Sequence, residues 1–298
     1  MVEKSIVFII PYFGRWPFWL PLFLKSCQLN PTVNWILYSD CGEPDLLPTN
    51  VRYVEITFSE YCENVSRRLQ CDFSPQRAYK LCDVKPALGF IHEPDIQGFD
   101  FWGFSDLDLI YGDLRGYFNA ERLTNFDFFS THERRVSGHL CLMRNNEKMR
   151  LAFRKIPNFL QRLCDQKSHA LDEGGFSRIF LWRKNWPAPF FKLAGFFNPW
   201  RRRALFEELY STPNAGRPWI DGSSVFPKQW FWHAGVLNTD ITGKRSFPYF
   251  HFYGWKKWHW NKEQYPSWAE MVELASRDCW RIDAEGFHAW ECVNLPTK

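Results

Sequence analysis

The sequence predicts an α/β fold with a mixed, mostly parallel β-sheet flanked by helices. The apolar run at 5–10 is continuous, as expected for a strand that is buried on both faces of a parallel sheet. Short apolar runs then alternate with segments of helical periodicity, which is the pattern of βαβ units. A later aromatic run ends abruptly in two carboxylates, at the kind of strand end where open α/β sheets bind ligands.

The elements can be placed in order along the first two thirds of the chain. Apolar runs predict strands at 5–10, 34–40, 51–57, 99–104, 126–130 and 139–143. Helical periodicity predicts helices at 16–27, from 59 onward, 79–90, 114–118 and 150–164. Ser59 and Asp113 are the expected N-caps of the helices that follow them. The chain of 298 residues therefore holds one large domain, which we place at 1–260, with a helical extension at 261–298.

The cysteines, the apolar stretches and the distribution of charge indicate where the protein acts and what kind of partner it has. The nine cysteines are an odd number without a CxxC pair, which predicts reduced packing residues in a cytosolic protein. No apolar stretch is long enough for a transmembrane helix. The charge is uneven, because residues 144–203 carry 14 Lys and Arg against 4 Asp and Glu. This excess indicates an anionic partner such as a lipid surface or a lipid-linked diphosphate, and no nucleic-acid-binding motif accompanies it.

The acidic pair is the most informative motif. Asp106 and Asp108 follow the aromatic strand at 99–104 and have the spacing D-x-D. Two neighbouring carboxylates repel each other, and a divalent cation is the usual compensation. Carboxylate oxygens suit Mg²⁺ or Mn²⁺ carrying a diphosphate. The plain alternative is that both acids lie at a strand end in water.

The late segment at 251–258, HFYGWKKW, complements the acidic pair. His251 offers an imidazole, which is a good ligand for Mn²⁺. Gly254 would let the backbone approach a phosphate closely, and Lys256 or Lys257 would neutralise a diphosphate. The alternative is an aromatic strand that ends in two solvated lysines.

With these motifs in this order, the sequence resembles metal-dependent glycosyltransferases of the GT-A type, which have a Rossmann-like fold. The late motif is most similar to that of the glycogenin and lipooligosaccharide galactosyltransferase group. The resemblance implies that Asp106, Asp108 and His251 hold Mn²⁺ or Mg²⁺. It implies diphosphate contacts for Gly254 and for Lys256 or Lys257. It also implies a donor half at about 1–115 and an acceptor half at about 116–260, rich in aromatic residues and arginine.

Further site residues follow from the same resemblance. The loop Pro11, Tyr12, Phe13 follows the first strand, where such enzymes bind the nucleotide base and ribose, although its aromatics are equally typical of a core. Asp40 ends the second strand and is a candidate contact to the base or ribose. Lys85 or Asp83 is a candidate contact to the donor sugar. The alternative for Asp83 is an ion pair with Lys80, three residues before it.

Two acidic residues are the candidates for catalysis. Asp172 and Glu173 would orient the acceptor hydroxyl or act as general base, and two glycines after them suggest close approach of a ligand. The alternative is an acidic pair at a helix N-terminus.

The chain as a whole resembles an uncharacterised bacterial family found in polysaccharide gene clusters, on the motifs at 10–14, 79–86, 137–139 and 171–173. The expected enzyme is a hexosyltransferase that moves a sugar from a UDP-sugar to a saccharide or lipid-linked glycan acceptor. Two alternatives stay open, a metal-dependent nucleotidyl- or phosphotransferase and a carbohydrate-binding protein without catalysis. The segment 190–203 joins large apolar groups to an arginine cluster, which suits either an anionic membrane surface or an acceptor loop. The expected location is the cytoplasm, including the inner face of the cytoplasmic membrane.

Overall fold

The computed structural model describes residues 3–182, 185–213, 216–260 and 265–291. Within these ranges the strands, in chain order, are β1 (Ile6–Pro11), β2 (Val33–Ser39), β3 (Val51–Glu55), β4 (Phe101–Ser105), β5 (Leu109–Tyr111), β6 (Phe128–Ser130), β7 (Leu140–Arg144), β8 (Ala204–Phe206), β9 (Trp230–His233), β10 (Val236–Thr239), β11 (Tyr249–His251), β12 (Cys279–Asp283) and β13 (Gly286–Ala289).

The helices connect these strands and cover the sheet. They are α1 (Leu20–Gln28), α2 (Phe58–Leu69), α3 (Leu88–Ile91), α4 (Leu114–Tyr117), α5 (Ala120–Asn125), α6 (Glu147–Arg150), α7 (Phe159–Cys164), α8 (Phe176–Phe180), α9 (Ala188–Phe197), α10 (Tyr253–Trp258) and α11 (Trp268–Ala275). Short 3₁₀ helices span Ala78–Ala87, Glu93–Ile96 and Ala152–Lys155, and a single π-helical turn spans Leu171–Gly175. Among the described helices, none has both the length and the apolar character needed to cross a bilayer.

The main sheet has seven strands in the order β3-β2-β1-β4-β7-β6-β8. The first four strands are parallel, β7 is antiparallel to both of its neighbours, and β8 is parallel to β6. The predicted mixed, mostly parallel α/β sheet is therefore confirmed. Alternate residues of β1 lie in the cores on the two opposite faces of the sheet, which explains its continuous apolar sequence.

Helix α3 packs closely on β4, the strand that precedes the acidic pair. A Cβ atom on Gly89 would lie 2.2 Å from the ring of Trp102, so α3 approaches β4 more closely than any larger residue allows. The adjoining 3₁₀ helix therefore lies beside the end of β4, where its Lys85 reaches Asp106.

The C-terminal part forms a third core, which is rich in aromatic residues. Strands β10, β9, β12 and β13 make an antiparallel sheet, and the rings of Trp232 and Trp280 stack within it at 3.7 Å between centroids. The segment expected to be a helical extension contains α11, but also β12 and β13, which join this sheet through β9. The division into domains at 260 stays a prediction.

Three local expectations were wrong. Thr57, and not Ser59, caps α2, because Thr57 forms a reciprocal capping box with Glu60. In place of the helix expected at 150–164 there is a 3₁₀ turn at Ala152–Lys155 followed by α7, since Pro157 lies between them and Asn158 adopts a left-handed backbone at φ 54°. Cys279 is disulfide-bonded, which corrects the expectation that all nine cysteines are reduced.

Candidate active site

The acidic pair lies where β4 ends. Asp106 and Asp108 occupy the bend between β4 and β5, and the Asp106 N–H donates to the carbonyl of His139 at 3.0 Å. Strand β5 pairs with β11, which places His251 opposite Leu109 in register. The Phe252 N–H also donates to the Asp108 carbonyl at 3.2 Å. This antiparallel pairing brings the late motif to the acidic pair.

The three predicted metal ligands lie together. Asp106, Asp108 and His251 each offer one ligand atom, and these atoms all lie within 4.8 Å of one another. A cation held at about 2.1 Å from each ligand needs ligand atoms no more than about 4.2 Å apart. Small side-chain rotations would therefore close the set around one ion. The combination of two carboxylates and one imidazole suits Mn²⁺ as well as Mg²⁺.

The imidazole of His251 is held in a defined orientation. Its Nδ1 lies 3.1 Å from the Thr212 hydroxyl oxygen, and its Nε2 lies 3.6 Å from an Asp108 carboxylate oxygen. The ring also stacks on His139 at 4.0 Å between centroids. Histidine ligands are commonly fixed in this way, by a hydrogen bond from the nitrogen that does not bind the metal.

Two lysines neutralise the acidic pair. The Lys256 ammonium lies 2.5 Å from Asp108, while Lys85 donates to Asp106 at 2.6 Å and to the Gly138 carbonyl at 2.7 Å. Burial would raise the pKa of Asp108, but His251 and Lys256 outweigh it and hold that pKa below its usual range. Burial would lower the pKa of Lys85, yet the nearby carboxylates raise it.

The predicted catalytic acids face the same lysine. Asp172 is buried, with a carboxylate oxygen 3.9 Å from Lys85 Nζ. Burial raises the pKa of Asp172 to about 7, although Lys85 opposes the shift. Glu173 is half-buried and pairs with Arg135 at 3.6 Å. A Cβ atom on Gly138 would lie 2.9 Å from the Oδ2 of Asp172, so a larger residue at this position would displace the carboxylate.

A buried ion pair supports the turn that carries Asp172. The carboxylate of Asp83 accepts the backbone N–H groups of His169 and Leu171, each at 2.8 Å. Lys80 bonds to the same carboxylate at 3.0 Å. The lysine also donates to the backbone carbonyls at positions 162 and 167. Asp83 therefore pairs with Lys80, which was the alternative that the sequence left open, and together they tie the 3₁₀ helix to the turn that carries Asp172.

These groups surround a cavity of about 780 Å³ at the carboxyl end of β4. Pro11, Tyr12 and Phe13 line one wall. The Tyr12 ring stacks on Trp16 at 5.6 Å between centroids, and burial raises the pKa of its hydroxyl to about 12. Asp106, Asp108, His251 and Asp172 also line the cavity.

The predicted contacts Asp40, Gly254 and Lys256 or Lys257 do not all line the cavity. Asp40 is exposed, does not line the cavity, and accepts the Gly14 N–H at 2.8 Å, so it anchors the end of the 11–14 loop. Lys256 lines the cavity, whereas Lys257 is exposed and lies against the rings of Tyr253 and Trp258. Gly254 lines the cavity at the start of α10, with the Trp258 ring close to it.

Sequence reasoning missed several neighbours of the site. Thr212 orients His251, Arg135 pairs with Glu173, and the Trp19 ring lies 5.4 Å from the Lys256 ammonium. No motif surrounds any of the three, and each reaches the site through tertiary packing. Trp19 alone had a sequence context, as an apolar position in the first predicted helix.

The fold and the site together define an α/β protein with an acidic, lysine-flanked cavity at the carboxyl edge of its sheet. The chain belongs to the family of unknown function DUF6625, whose model matches residues 8–266. A search of curated proteins found no significant match.

Several solved structures similar to the chain are glycosyltransferases. The galactosyltransferase LgtC, as an active-site mutant, is 12% identical, with 92% of this chain and 95% of that chain covered and a TM-score of 0.43. Mouse xyloside xylosyltransferase 1 is 12% identical, with 72% and 87% covered and a TM-score of 0.34. The glycosyltransferase GlyE of Streptococcus pneumoniae TIGR4 is 12% identical, with 68% and 45% covered and a TM-score of 0.34. Likeness at this level says nothing of donor, acceptor or metal.

Proposed function

We propose that the protein is a metal-dependent glycosyltransferase of the GT-A type that moves a hexose from a nucleoside-diphosphate sugar, such as a UDP-sugar, to a saccharide acceptor. One observation carries the proposal. Asp106, Asp108 and His251 lie together in a strand-end cavity that is also lined by two lysines. This combination suits a divalent cation and a diphosphate bound side by side.

The lysines have separate tasks in this proposal. A divalent cation bound by the three ligands would neutralise the departing nucleoside diphosphate. Lys256 is half-buried and lines the cavity, so it can turn from Asp108 toward a phosphate oxygen. Lys85 is buried between Asp106 and Asp172, and its charge holds these two acids in fixed positions.

The donor and the acceptor would contact different residues of the cavity. The surface formed by Pro11, Tyr12 and Phe13 offers apolar and aromatic groups for the nucleoside. Asp172 lines the same cavity, and a pKa of about 7 suits a group that accepts a proton from a sugar hydroxyl and returns it to water. We assign the general-base role to Asp172 and the orientation of the acceptor to Glu173. The acceptor in this proposal is a growing surface glycan, such as a lipid-linked polysaccharide.

Binding measurements with and without metal test the proposal. Isothermal titration with UDP and GDP should show tight binding only when Mn²⁺ or Mg²⁺ is present. Asp108→Asn should weaken the metal-dependent binding roughly tenfold or more, because a ligand and its charge are lost. Asp72→Asn is the matched control, since this exposed carboxylate lies outside the cavity. Equal binding by Asp108→Asn and the wild type would overturn the metal site.

The products formed separate the proposal from the alternatives. Incubation with a panel of nucleotide-sugars should release nucleoside diphosphate in the presence of metal. Release of pyrophosphate from a nucleoside triphosphate would instead indicate a nucleotidyltransferase. Glycan binding that is unaffected by chelation of metal, without any product, would indicate a carbohydrate-binding protein.

A further inference from the structure

The helix α9 exposes an apolar face to solvent. Phe190, Leu193, Phe196 and Phe197 are 57%, 56%, 68% and 64% exposed. They recur at intervals of three and four residues, so they share one side of the helix, which we call the α9 face. The other side of the helix faces the protein, where Phe191 packs against the core that contains Val7 and Ile9 of β1. Large apolar side chains grouped in this way are uncommon on a surface that meets only water.

The chain segment that carries this face is positively charged. From Gly174 to Phe206 the sequence contains no Asp or Glu, while it contains seven Lys and Arg. Arg134 reaches the helix from a separate loop, with its guanidinium 5.9 Å from the centre of the Phe191 ring. Arg202 is exposed just beyond the end of α9. The partner of this face therefore carries negative charge as well as apolar groups.

One loop links helix α9 to the active-site cavity. Arg134 contacts α9, and its neighbour Arg135 lines the cavity and pairs with Glu173. A partner seated on α9 would thus be near the side of the cavity that we assign to the acceptor.

We propose that the α9 face docks the protein on an anionic membrane surface, with the phenylalanines in the headgroup region and the arginines on lipid phosphates. An interfacial helix needs this combination of exposed aromatics and surrounding cations. A second copy of the chain fits the face poorly, because a two-fold contact would bring like charges together. The proposal complements the proposed function, since it places the acceptor side of the cavity near lipid.

Vesicle sedimentation with the full chain tests the docking directly and needs neither donor nor metal. The protein should bind vesicles of phosphatidylcholine mixed with phosphatidylglycerol, bind pure phosphatidylcholine far less, and dissociate as salt is raised. The double variant Phe196→Ser with Phe197→Ser should weaken binding roughly tenfold or more, because the exposed aromatic area is lost. Arg202→Gln should weaken it about fivefold.

A matched control removes exposed apolar groups elsewhere. Val225→Ser with Ile241→Ser takes away two exposed side chains outside α9 and should leave vesicle binding unchanged. Equal binding of the Phe196→Ser, Phe197→Ser variant and the wild type would overturn the proposal. So would equal binding to both kinds of vesicle, or a wild-type dimer in sedimentation equilibrium that this variant dissociates. Since nucleotide binding is measured separately, its failure would refute the proposed function and leave the docking result standing.

Discussion

The buried ion pair of Lys80 and Asp83 gives a direct test of how the turn that carries Asp172 is held. In Asp83→Asn the shape of the side chain is kept, but one carboxylate oxygen becomes an amide that donates hydrogen bonds. The native oxygens accept from three donors, namely the Lys80 ammonium and the backbone N–H groups of His169 and Leu171. Either orientation of the amide therefore sets a donor against a donor.

The cost can be worked out from these contacts. At least one buried N–H loses its acceptor, which costs about 1–3 kcal/mol. Lys80, which is 3% exposed, loses its negative partner and keeps only two backbone carbonyls. Breaking a buried ion pair by removing one partner costs about 3–5 kcal/mol in total, which is a large part of the stability of a typical domain.

Urea unfolding followed by tryptophan fluorescence measures the loss. Glu273→Gln is the control, because its 3.1 Å ion pair with Arg277 is exposed and should contribute no more than about 1 kcal/mol. Hydrogen exchange at the Leu171 amide should also become faster in Asp83→Asn. A loss as small as that of the control, with unchanged exchange at Leu171, would refute this account of the turn.

Two more predictions concern the cavity. The raised pKa of Asp172 means that the folded protein keeps a proton which the unfolded chain releases, so its contribution to stability falls as pH rises from about 4 to about 7. Asp172→Asn should therefore make the unfolding free energy less dependent on pH in this range and higher at pH 8, on the order of 2–4 kcal/mol, and a curve parallel to the wild type would contradict the burial of this charge. Thr212→Val should weaken Mn²⁺-dependent UDP binding roughly tenfold, because His251 loses the hydroxyl that orients it, while the melting temperature measured by calorimetry changes little.

The main sheet could be predicted because its central strands are almost fully buried. A short, continuous apolar run such as the one in β1 is typical of a strand that is buried on both faces. The prediction of a continuous helix at 150–164 was wrong for a local reason that the spacing of apolar residues does not show. Its apolar residues keep a helical spacing, but Pro157 interrupts the backbone and the segments on either side pack separately.

The candidate site could be predicted only in part. The acidic pair could be identified from the sequence because it directly follows an aromatic strand. His251 could be identified because it begins a motif that contains glycine and lysine. Their meeting depends on the pairing of β5 with β11, which no local pattern encodes. Thr212 could not be found, since a loop hydroxyl has no periodicity and acquires its role only from the fold.

The two lysines change what the acidic pair implies. The sequence alone predicts that Asp106 and Asp108 need a cation to offset their mutual repulsion. In the fold, Lys85 and Lys256 already balance Asp106 and Asp108, so the bare site is electrostatically satisfied. A cation entering alone would add uncompensated positive charge, whereas a cation entering with a diphosphate would not. The arrangement therefore favours joint binding of metal and nucleotide over binding of metal alone, and it is why the decisive titration must contain both.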